Sequence, residues 1–187
     1  DTITAISTPL GTGGVGVIRI SGEKSFEITE RIFTGKITPR MICHGWIVDG
    51  DKKVDEVVVL PFKNPNSYTG EDVIEIQCHG GINVVKNILE NVLKNGARMA
   101  ERGEFTKRAF LNKKLDLSQA EAVADLIHSK TQNFAIQSAK NLSGVLAQKV
   151  LEIKGDIFET LSRIVAGIDF PEDVAEPTYE SLINDFE

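Results

Sequence analysis

The sequence predicts an α+β fold, in which a mixed-sheet domain is followed by the long α-helices of a helical-bundle domain. Short strand patterns and short helical patterns share roughly the first hundred residues. From residue 118 the apolar residues recur at helical spacing, and no proline occurs between Pro65 and Pro171. We therefore expect two domains, residues 1–117 and residues 118–187.

The first predicted elements are two strands and a helix. Residues 2–7 and 15–21 are rich in β-branched side chains and flank a glycine-rich turn. Residues 22–35 predict a helix that ends at Gly35, because four apolar residues recur at helical spacing. These four are Phe26, Ile28, Ile32 and Phe33.

Three more strands are predicted in the middle of the chain. Residues 42–49 and 54–62 flank Gly50-Asp51, a two-residue signal for a β-hairpin. Residues 73–78 form the next strand. After it, the sequence predicts a helix over 82–96, a short strand over 97–101 and a short helix over 104–114, which indicates a mixed sheet.

The C-terminal part of the chain is predicted to be helical. Ser118 and Glu121 have the S-x-x-E spacing of a capping box and predict a helix start at Ser118. The helical pattern then runs over 119–167, with expected bends at 141–144 and Gly155.

Further along, residues 169–173 predict a turn, and another helix is expected from Thr178. The apolar stripe of the long helical run is too extensive for one small domain to bury. The sequence therefore predicts that further helices, from more chain or another subunit, complete this domain.

Composition indicates a soluble globular protein, with 41% hydrophobic and 26% charged residues. Neither a membrane span nor a secretory signal is visible, and Cys43 and Cys78 form no disulfide framework, so we expect a cytoplasmic protein. A net charge of −6 disfavours general nucleic-acid binding. Residues 94–114 nevertheless hold seven basic residues against two acidic ones, a patch suited to an anionic small molecule.

The segment from Gly11 to Gly16 matches G-x-G-x-x-G, the pattern of dinucleotide-binding loops. That chemistry needs a helix directly after the glycines, to hold the pyrophosphate. Here a predicted strand follows, so the glycines indicate a tight turn or a close backbone approach to a flat ligand.

Two charged residues lie inside apolar strands. Arg19 and Glu75 are each either solvated at a sheet surface or directed at a partner or ligand, and alternation alone leaves both interpretations open. Glu75 shares its predicted face with Gln77 and His79, whereas Cys78 shares the other face with buried neighbours and is expected to be an inert thiol. We expect no Cys78–His79 nucleophile pair and no metal site, because Cys and His lack the spacing of zinc ligands.

Three segments carry a resemblance to a known family. They are STPLGTGGVGVIRISG, NSYTGEDVIEIQCHGG and ERGEFTKRAFLNKKLDLSQAEAVADLI. In this order they resemble the amino-terminal part of the MnmE (TrmE) family of bacterial tRNA modification GTPases, and the resemblance covers essentially the whole chain.

The resemblance implies a dimerising folate-binding domain, similar to the folate domain of glycine-cleavage T protein, over residues 1–117. It implies that residues 118–187 are the first part of a helical domain that a Ras-like G domain interrupts in the family. Arg19, Glu75 and Lys114 match family positions that contact 5-formyltetrahydrofolate, and methylenetetrahydrofolate is the implied one-carbon source. No catalytic residue and no metal ligand is expected in this chain.

The implied chemistry suits these side chains. A pterin presents an adjacent ring N–H and amino group, which the carboxylate of Glu75 could accept as a two-point fork. The anionic glutamate tail of folate needs a cation, and either Arg19 or Lys114 is suited to it.

The resemblance also implies partners. With the FAD protein MnmG, the parent protein would modify carbon 5 of the wobble uridine of certain tRNAs, while GTP, Mg²⁺ and K⁺ bind in its G domain. No G-x-x-x-x-G-K-[ST] phosphate loop occurs in these 187 residues, so we expect the chain itself not to hydrolyse GTP.

Two alternatives from other functional classes stay open. One is a stand-alone folate-dependent enzyme similar to the aminomethyltransferases. The other is a dimerisation scaffold that binds no folate, in which Arg19 and Glu75 only pair with each other.

Overall fold

The structure, a computed structural model, describes residues 1–170 and residue 178. Two units divide the chain: the first is Asp1–Leu115, and the second begins at Asp116. The predicted α+β class is confirmed, since residues 1–170 form one six-stranded mixed sheet and six α-helices.

The sheet belongs to the first unit. In chain order its strands are β1 (Ile3–Ile6), β2 (Val15–Ser21), β3 (Cys43–Asp49), β4 (Lys52–Phe62), β5 (Val73–His79) and β6 (Arg98–Met99). They lie in the order β3-β4-β5-β2-β1-β6. Every neighbouring pair is antiparallel except β1 and β6, which are parallel.

Helices α1 (Ser25–Ile32) and α2 (Ile82–Lys94) pack on one face of this sheet and enclose the core. Strand alternation directs Ile18 and Ile20 of β2 toward these helices, where both are fully buried. Arg19, between them, therefore lies on the opposite face. The third helix of this unit, α3 (Glu104–Leu111), contributes side chains to that opposite face.

The predicted hairpin is confirmed. Asp49 pairs with Lys52 across the two-residue turn, and Gly50 has the positive φ of 59° that such a turn requires. The helix predicted over 22–35 is shorter, because Phe33 takes an extended conformation and bridges to Ile47 of β3.

Helix α3 also ends earlier than predicted, at Leu111 instead of residue 114. The amides of Lys113 and Lys114 donate back to the carbonyls of Phe110 and Ala109, and Lys113 adopts a φ of 58°. This is the hydrogen-bond pattern of a Schellman C-cap. Lys114 consequently lies in the loop after the helix.

The second unit contains α4 (Leu117–His128), α5 (Gln132–Leu142) and α6 (Val145–Asp169). The expected bend near Gly144, which has a φ of 88°, is confirmed as a break between helices. At Gly155 the helix does not break, since α6 continues through this residue. An additional break separates α4 from α5, because the Thr131 side chain accepts from the amide of Phe134 and caps a new helix.

The predicted capping residue Ser118 is also wrong. Asp116 is the N-cap, and its carboxylate accepts from the Gln119 amide while the Gln119 side chain accepts from the Asp116 amide. Ser118 instead donates its hydroxyl to Asp116, and this bond, with the amide bond, lowers the pKa of Asp116. These bonds favour the ionised carboxylate, and its negative charge interacts favourably with the positive end of the helix dipole.

Most of the turn predicted over 169–173 and most of the helix predicted from Thr178 lie outside the described residues. Among the helices that the structure does describe, none has the length and apolarity needed to cross a bilayer.

Candidate functional site

The centre of the candidate site is an ion pair between the two strands in the middle of the sheet. The register of β2 and β5 places Arg19 opposite Glu75 on the face away from α1 and α2. Arg19 Nη2 lies 2.7 Å from Glu75 Oε1, and Arg19 Nε donates to the same oxygen at 2.8 Å. Their side chains are only 25% and 19% exposed. Glu75 Oε2 accepts no hydrogen bond from residues 1–170, so it remains available to a donor.

Two aromatic rings border this ion pair. The guanidinium carbon of Arg19 lies 5.1 Å from the ring centroid of Tyr68 and 5.6 Å from that of Phe105. Both distances are within the range of cation–π attraction. The Tyr68 hydroxyl also lies 2.9 Å from the hydroxyl of Thr106, which joins the loop before β5 to α3. The arrangement is a partly buried charge pair with flat apolar surfaces beside it.

Sequence reasoning did not select Tyr68 or Phe105. Tyr68 lies in a turn-like segment, and Phe105 is at the start of a short helix, where a single aromatic residue carries no functional signal. Both lie within segments that carry the family resemblance, and that is the only signal by which they could have been found.

Lys114, in the loop after α3, packs against the loop that carries Tyr68. Its Nζ donates to the carbonyl of Pro65 at 3.1 Å, and its stem packs so close to Gly70 that a Cβ there would lie 3.1 Å from Lys114 Cγ. Asn112 fixes this loop by donating to the Thr69 carbonyl at 2.8 Å. No carboxylate among the described residues forms an ion pair with Lys114. Arg19 and Glu75 therefore contact each other directly. Lys114 contacts the loop that carries Tyr68, and Tyr68 in turn borders Arg19.

His79 does not join this group, although alternation predicts the face of Glu75 for it. It is the last residue of β5, and its ring Nδ1 lies 2.7 Å from Asp55 Oδ1. Its backbone amide donates to the other oxygen of Asp55 at 2.8 Å. The side chain at the end of the strand is thus turned to Asp55 of β4.

Cys78 is buried against the core, as predicted. Burial, and secondly the charge of Asp55, raise the pKa of Cys78 to about 11, so the unreactive thiol predominates near neutral pH. Within the described part of the chain, no group of three His, Cys, Asp or Glu residues is arranged to hold a metal ion.

The glycine-rich segment leads directly into β2, as predicted. Its conformation serves close packing. A Cβ on Gly16 would lie 2.5 Å from Val85 Cγ2 of α2, and one on Gly80 would lie 2.5 Å from the carbonyl oxygen of Gly13. The glycines therefore allow this segment to contact α2 and the end of β5, on the side of the sheet away from Glu75.

Comparison with known proteins gives two family matches. The model described as "GTP-binding protein TrmE N-terminus" matches residues 2–114, and the "MnmE helical domain" model matches residues 117–187.

Several relatives named "tRNA modification GTPase MnmE" are similar over nearly the whole chain. The protein of Caldicellulosiruptor saccharolyticus is 52% identical over 179 residues, which cover 92% of this chain and 39% of the relative. That of Acetivibrio thermocellus is 52% identical over 186 residues, covering 95% and 40%, and that of Clostridioides difficile is 50% identical over 191 residues, covering 97% and 41%. The chain spans about two fifths of the length of these curated relatives.

The sheet with its Arg19–Glu75 pair thus lies in a segment that matches the amino-terminal TrmE domain, and α4 to α6 lie in one that matches the helical domain. The chain belongs to the family of the tRNA modification GTPase MnmE (TrmE).

Proposed function

We propose that this chain is the folate-binding, dimerising amino-terminal portion of a tRNA modification GTPase. The observation that carries the proposal is the Arg19–Glu75 pair, partly buried beside the rings of Tyr68 and Phe105 on the sheet face that α1 and α2 leave free. Residues 1–117 are the proposed folate-binding and dimerisation domain, and residues 118–187 the first part of the helical domain.

The residues at this site fit a reduced folate. A pterin donates from a ring N–H and an amino group. Within residues 1–170, both contacts of Arg19 are to Glu75 Oε1, and no group donates to Glu75 Oε2, which is free to accept from the pterin. Planar heterocycles stack on aromatic rings, and Tyr68 and Phe105 provide two. When bound, a folate would supply a one-carbon unit; the role of these residues is to bind and orient it.

The structure favours one of the two candidate cations for the folate tail. Arg19 is engaged by Glu75, so its release would leave a partly buried carboxylate without its partner. Lys114 donates only to a backbone carbonyl among the described residues, so its charge is available at little cost. We therefore assign Glu75 to the pterin, Arg19 to the orientation of Glu75, and Lys114 to the anionic tail.

One observation also favours a second candidate, the folate-independent scaffold. Arg19 and Glu75 form an ion pair with each other without any ligand, which is the arrangement that a purely structural pair would have. Folate binding distinguishes the two functions. The names of the relatives favour both over a stand-alone enzyme similar to the aminomethyltransferases.

The decisive experiment is calorimetric titration with 5-formyltetrahydrofolate. Glu75→Gln keeps the shape of the side chain but places an amide donor where the pterin donates, and it weakens the bond to Arg19. We expect an affinity lower by roughly 10- to 150-fold, equivalent to about 1.5–3 kcal/mol for a lost charged hydrogen bond. The matched control is Glu56→Gln, a change of an exposed strand glutamate on β4.

Equal affinity of the Glu75 variant and the wild-type chain would refute the assigned role. A wild-type chain that binds no folate would support the scaffold.

For the whole protein we propose action on tRNA in the cytoplasm. With MnmG and its FAD, the parent would modify carbon 5 of the wobble uridine of certain tRNAs, and GTP, Mg²⁺ and K⁺ would bind in its G domain. These 187 residues contain no phosphate-binding loop, so the purified chain should release phosphate from GTP only at the background rate. Turnover that persists through repurification would contradict this prediction.

A further inference from the structure

A second cluster of charges lies beside the proposed site and is not used by it. Arg108 of α3 has a side chain that is only 12% exposed and contacts three carboxylates. Its Nη2 lies 2.5 Å from Asp1 Oδ1 and 3.1 Å from Glu104 Oε1. Its Nη1 donates to both oxygens of Glu71 at 3.1 Å. A mostly buried arginine with this many carboxylate partners restrains every segment that supplies one of them.

The Glu71 contact continues to the central strand. Glu71 Oε2 accepts from the hydroxyl of Ser21 at 2.7 Å, and the same hydroxyl lies 2.7 Å from that of Thr69. Ser21 is the last residue of β2, two positions after Arg19 and on the same face. A chain of hydrogen bonds thus runs from α3 through the loop before β5 to the strand that carries Arg19.

The two aromatic rings of the site belong to the segments that this chain of hydrogen bonds joins, α3 and the loop before β5. Phe105 and Thr106 are on α3 with Arg108, and Tyr68 is on the loop three residues before Glu71. Two further bonds join the same segments: the hydroxyl pair of Tyr68 and Thr106, and the bond from Asn112, after α3, to the Thr69 carbonyl. Of these contacts, only the cluster of Arg108 also reaches β2, so it fixes both ring-bearing segments relative to the strand of Arg19.

We propose that Arg108 is a positioning residue for the face around Glu75. It holds α3 and the loop of residues 67–72 on β2, and thereby sets the rings of Phe105 and Tyr68 beside the Arg19–Glu75 pair. The part of this inference that concerns ligand affinity rests on the proposed function, whereas the placement of the rings does not.

Glu104 supports the same arrangement from within α3. Arg98 of β6 contacts both of its oxygens, at 2.5 and 2.8 Å, and the Glu101 amide donates to it at 2.8 Å. These bonds, with Arg108, lower the pKa of Glu104 to about 2. The carboxylate that anchors Arg108 is therefore charged throughout the neutral range.

The test uses the full 187-residue chain and two readouts. The first is the Nε–Hε signal of Arg19 in ¹H–¹⁵N spectra of the ligand-free chain, assigned by its loss in Arg19→Lys. This signal reports the rings near the guanidinium, which a change in global stability does not move. The second is the affinity for 5-formyltetrahydrofolate. Arg108→Met is compared with Arg31→Met, which removes an exposed arginine of α1.

We expect Arg108→Met to shift the Arg19 signal and to weaken folate binding by about 10-fold, the value of a lost oriented aromatic contact. In a Phe105→Leu background the same change should have much less effect, because the ring that Arg108 positions is already absent. Arg108→Lys should restore neither readout fully, since an ammonium lacks the planar fork that reaches three carboxylates. Arg31→Met should leave both readouts unchanged.

Other outcomes overturn the inference. An unshifted Arg19 signal in folded Arg108→Met excludes positioning. Full restoration of affinity by Arg108→Lys, or equal effects with and without Phe105, would show that Arg108 attracts the anion directly. If Arg108→Met does not fold, Glu71→Gln breaks the same link more mildly and decides by the same criteria. If the wild-type chain binds no folate, the proposed function fails, and the Arg19 signal alone decides the positioning role.

Discussion

At the scale of single residues, the site depends on charges that are placed where water is limited. Glu75 and Glu104 both form ion pairs with arginines, but they differ in whether each carboxylate oxygen accepts a hydrogen bond. Both oxygens of Glu104 accept hydrogen bonds, whereas Glu75 Oε2 accepts none from residues 1–170. Glu104 is thus suited to a structural role and Glu75 to recognition.

The lowered pKa of Glu104 gives a prediction for stability against pH. Its pKa is about 2 in the folded chain and 4.5 ordinarily, so the ionised form favours the folded state. This contribution is complete above about pH 4.5 and is lost as the pH falls toward 2. Glu104→Gln should therefore lower the free energy of unfolding at pH 7 by about 1–2 kcal/mol, and the deficit should shrink below pH 4.5.

Urea denaturation at pH 7 and pH 3 measures this difference. Glu27→Gln is the control, because Glu27 forms an exposed pair with Arg31 on α1, and pairs of this kind are worth about 0.5 kcal/mol or less. A Glu104→Gln deficit that is the same at both pH values would contradict the prediction.

At the scale of elements, the close approach of β2 to α2 depends on a residue without a side chain. A Cβ on Gly16 would lie 2.5 Å from Val85 Cγ2 and 3.3 Å from Cys78 Sγ, both of which are buried. Close-packed interiors yield little to an added methyl group. Gly16, the last glycine of the glycine-rich segment, is therefore constrained by packing.

Gly16→Ala should consequently destabilise the chain by about 1–3 kcal/mol, the usual cost of overpacking. Gly14→Ala is the matched control, since a Cβ there would meet nothing within 4 Å. Urea midpoints of the two variants provide the measurement. Equal midpoints would show that β2 and α2 separate easily at this point.

At the scale of the whole molecule, the two units differ in how much apolar surface they leave exposed. The first unit encloses a core between the sheet, α1 and α2. In the second, α6 exposes many large apolar side chains. They include Val145, Leu146, Val150, Leu151, Ile153, Ile157, Phe158, Leu161, Val165 and Ile168. Exposed apolar patches of more than a few hundred Å² usually mark an interface, so we expect α6 to be covered by further helices.

Because only the first unit encloses a core within residues 1–170, we predict that the dimer forms through it and persists when the helices are removed. Sedimentation of residues 1–118 and 1–187 at matched concentration should show two dimers, while hydrogen exchange should show weak protection in α6. A monomeric 1–118 beside a dimeric 1–187 would assign the dimer to the helices. Strong uniform protection of α6 in a monomer would show that it needs no covering partner.

The sequence by itself determined those features that follow from local rules. Alternation placed Arg19 and Glu75 on one face of their strands and Cys78 on the other, because successive strand residues point in opposite directions. Gly50-Asp51 predicted the hairpin from turn geometry alone. The break before α5 also has a local signal, the capping side chain of Thr131, although no glycine or proline marks it.

The tertiary structure determined which residues distant in sequence come into contact. Arg19 and Glu75 are 56 residues apart, and only the register of β2 against β5 brings them within 2.8 Å. Tyr68 and Phe105 reach this pair from a loop and a helix with no periodic signal, because Arg108 and its carboxylates draw those segments together. Contacts between such distant residues depend on the packing of whole elements, which local propensity does not encode.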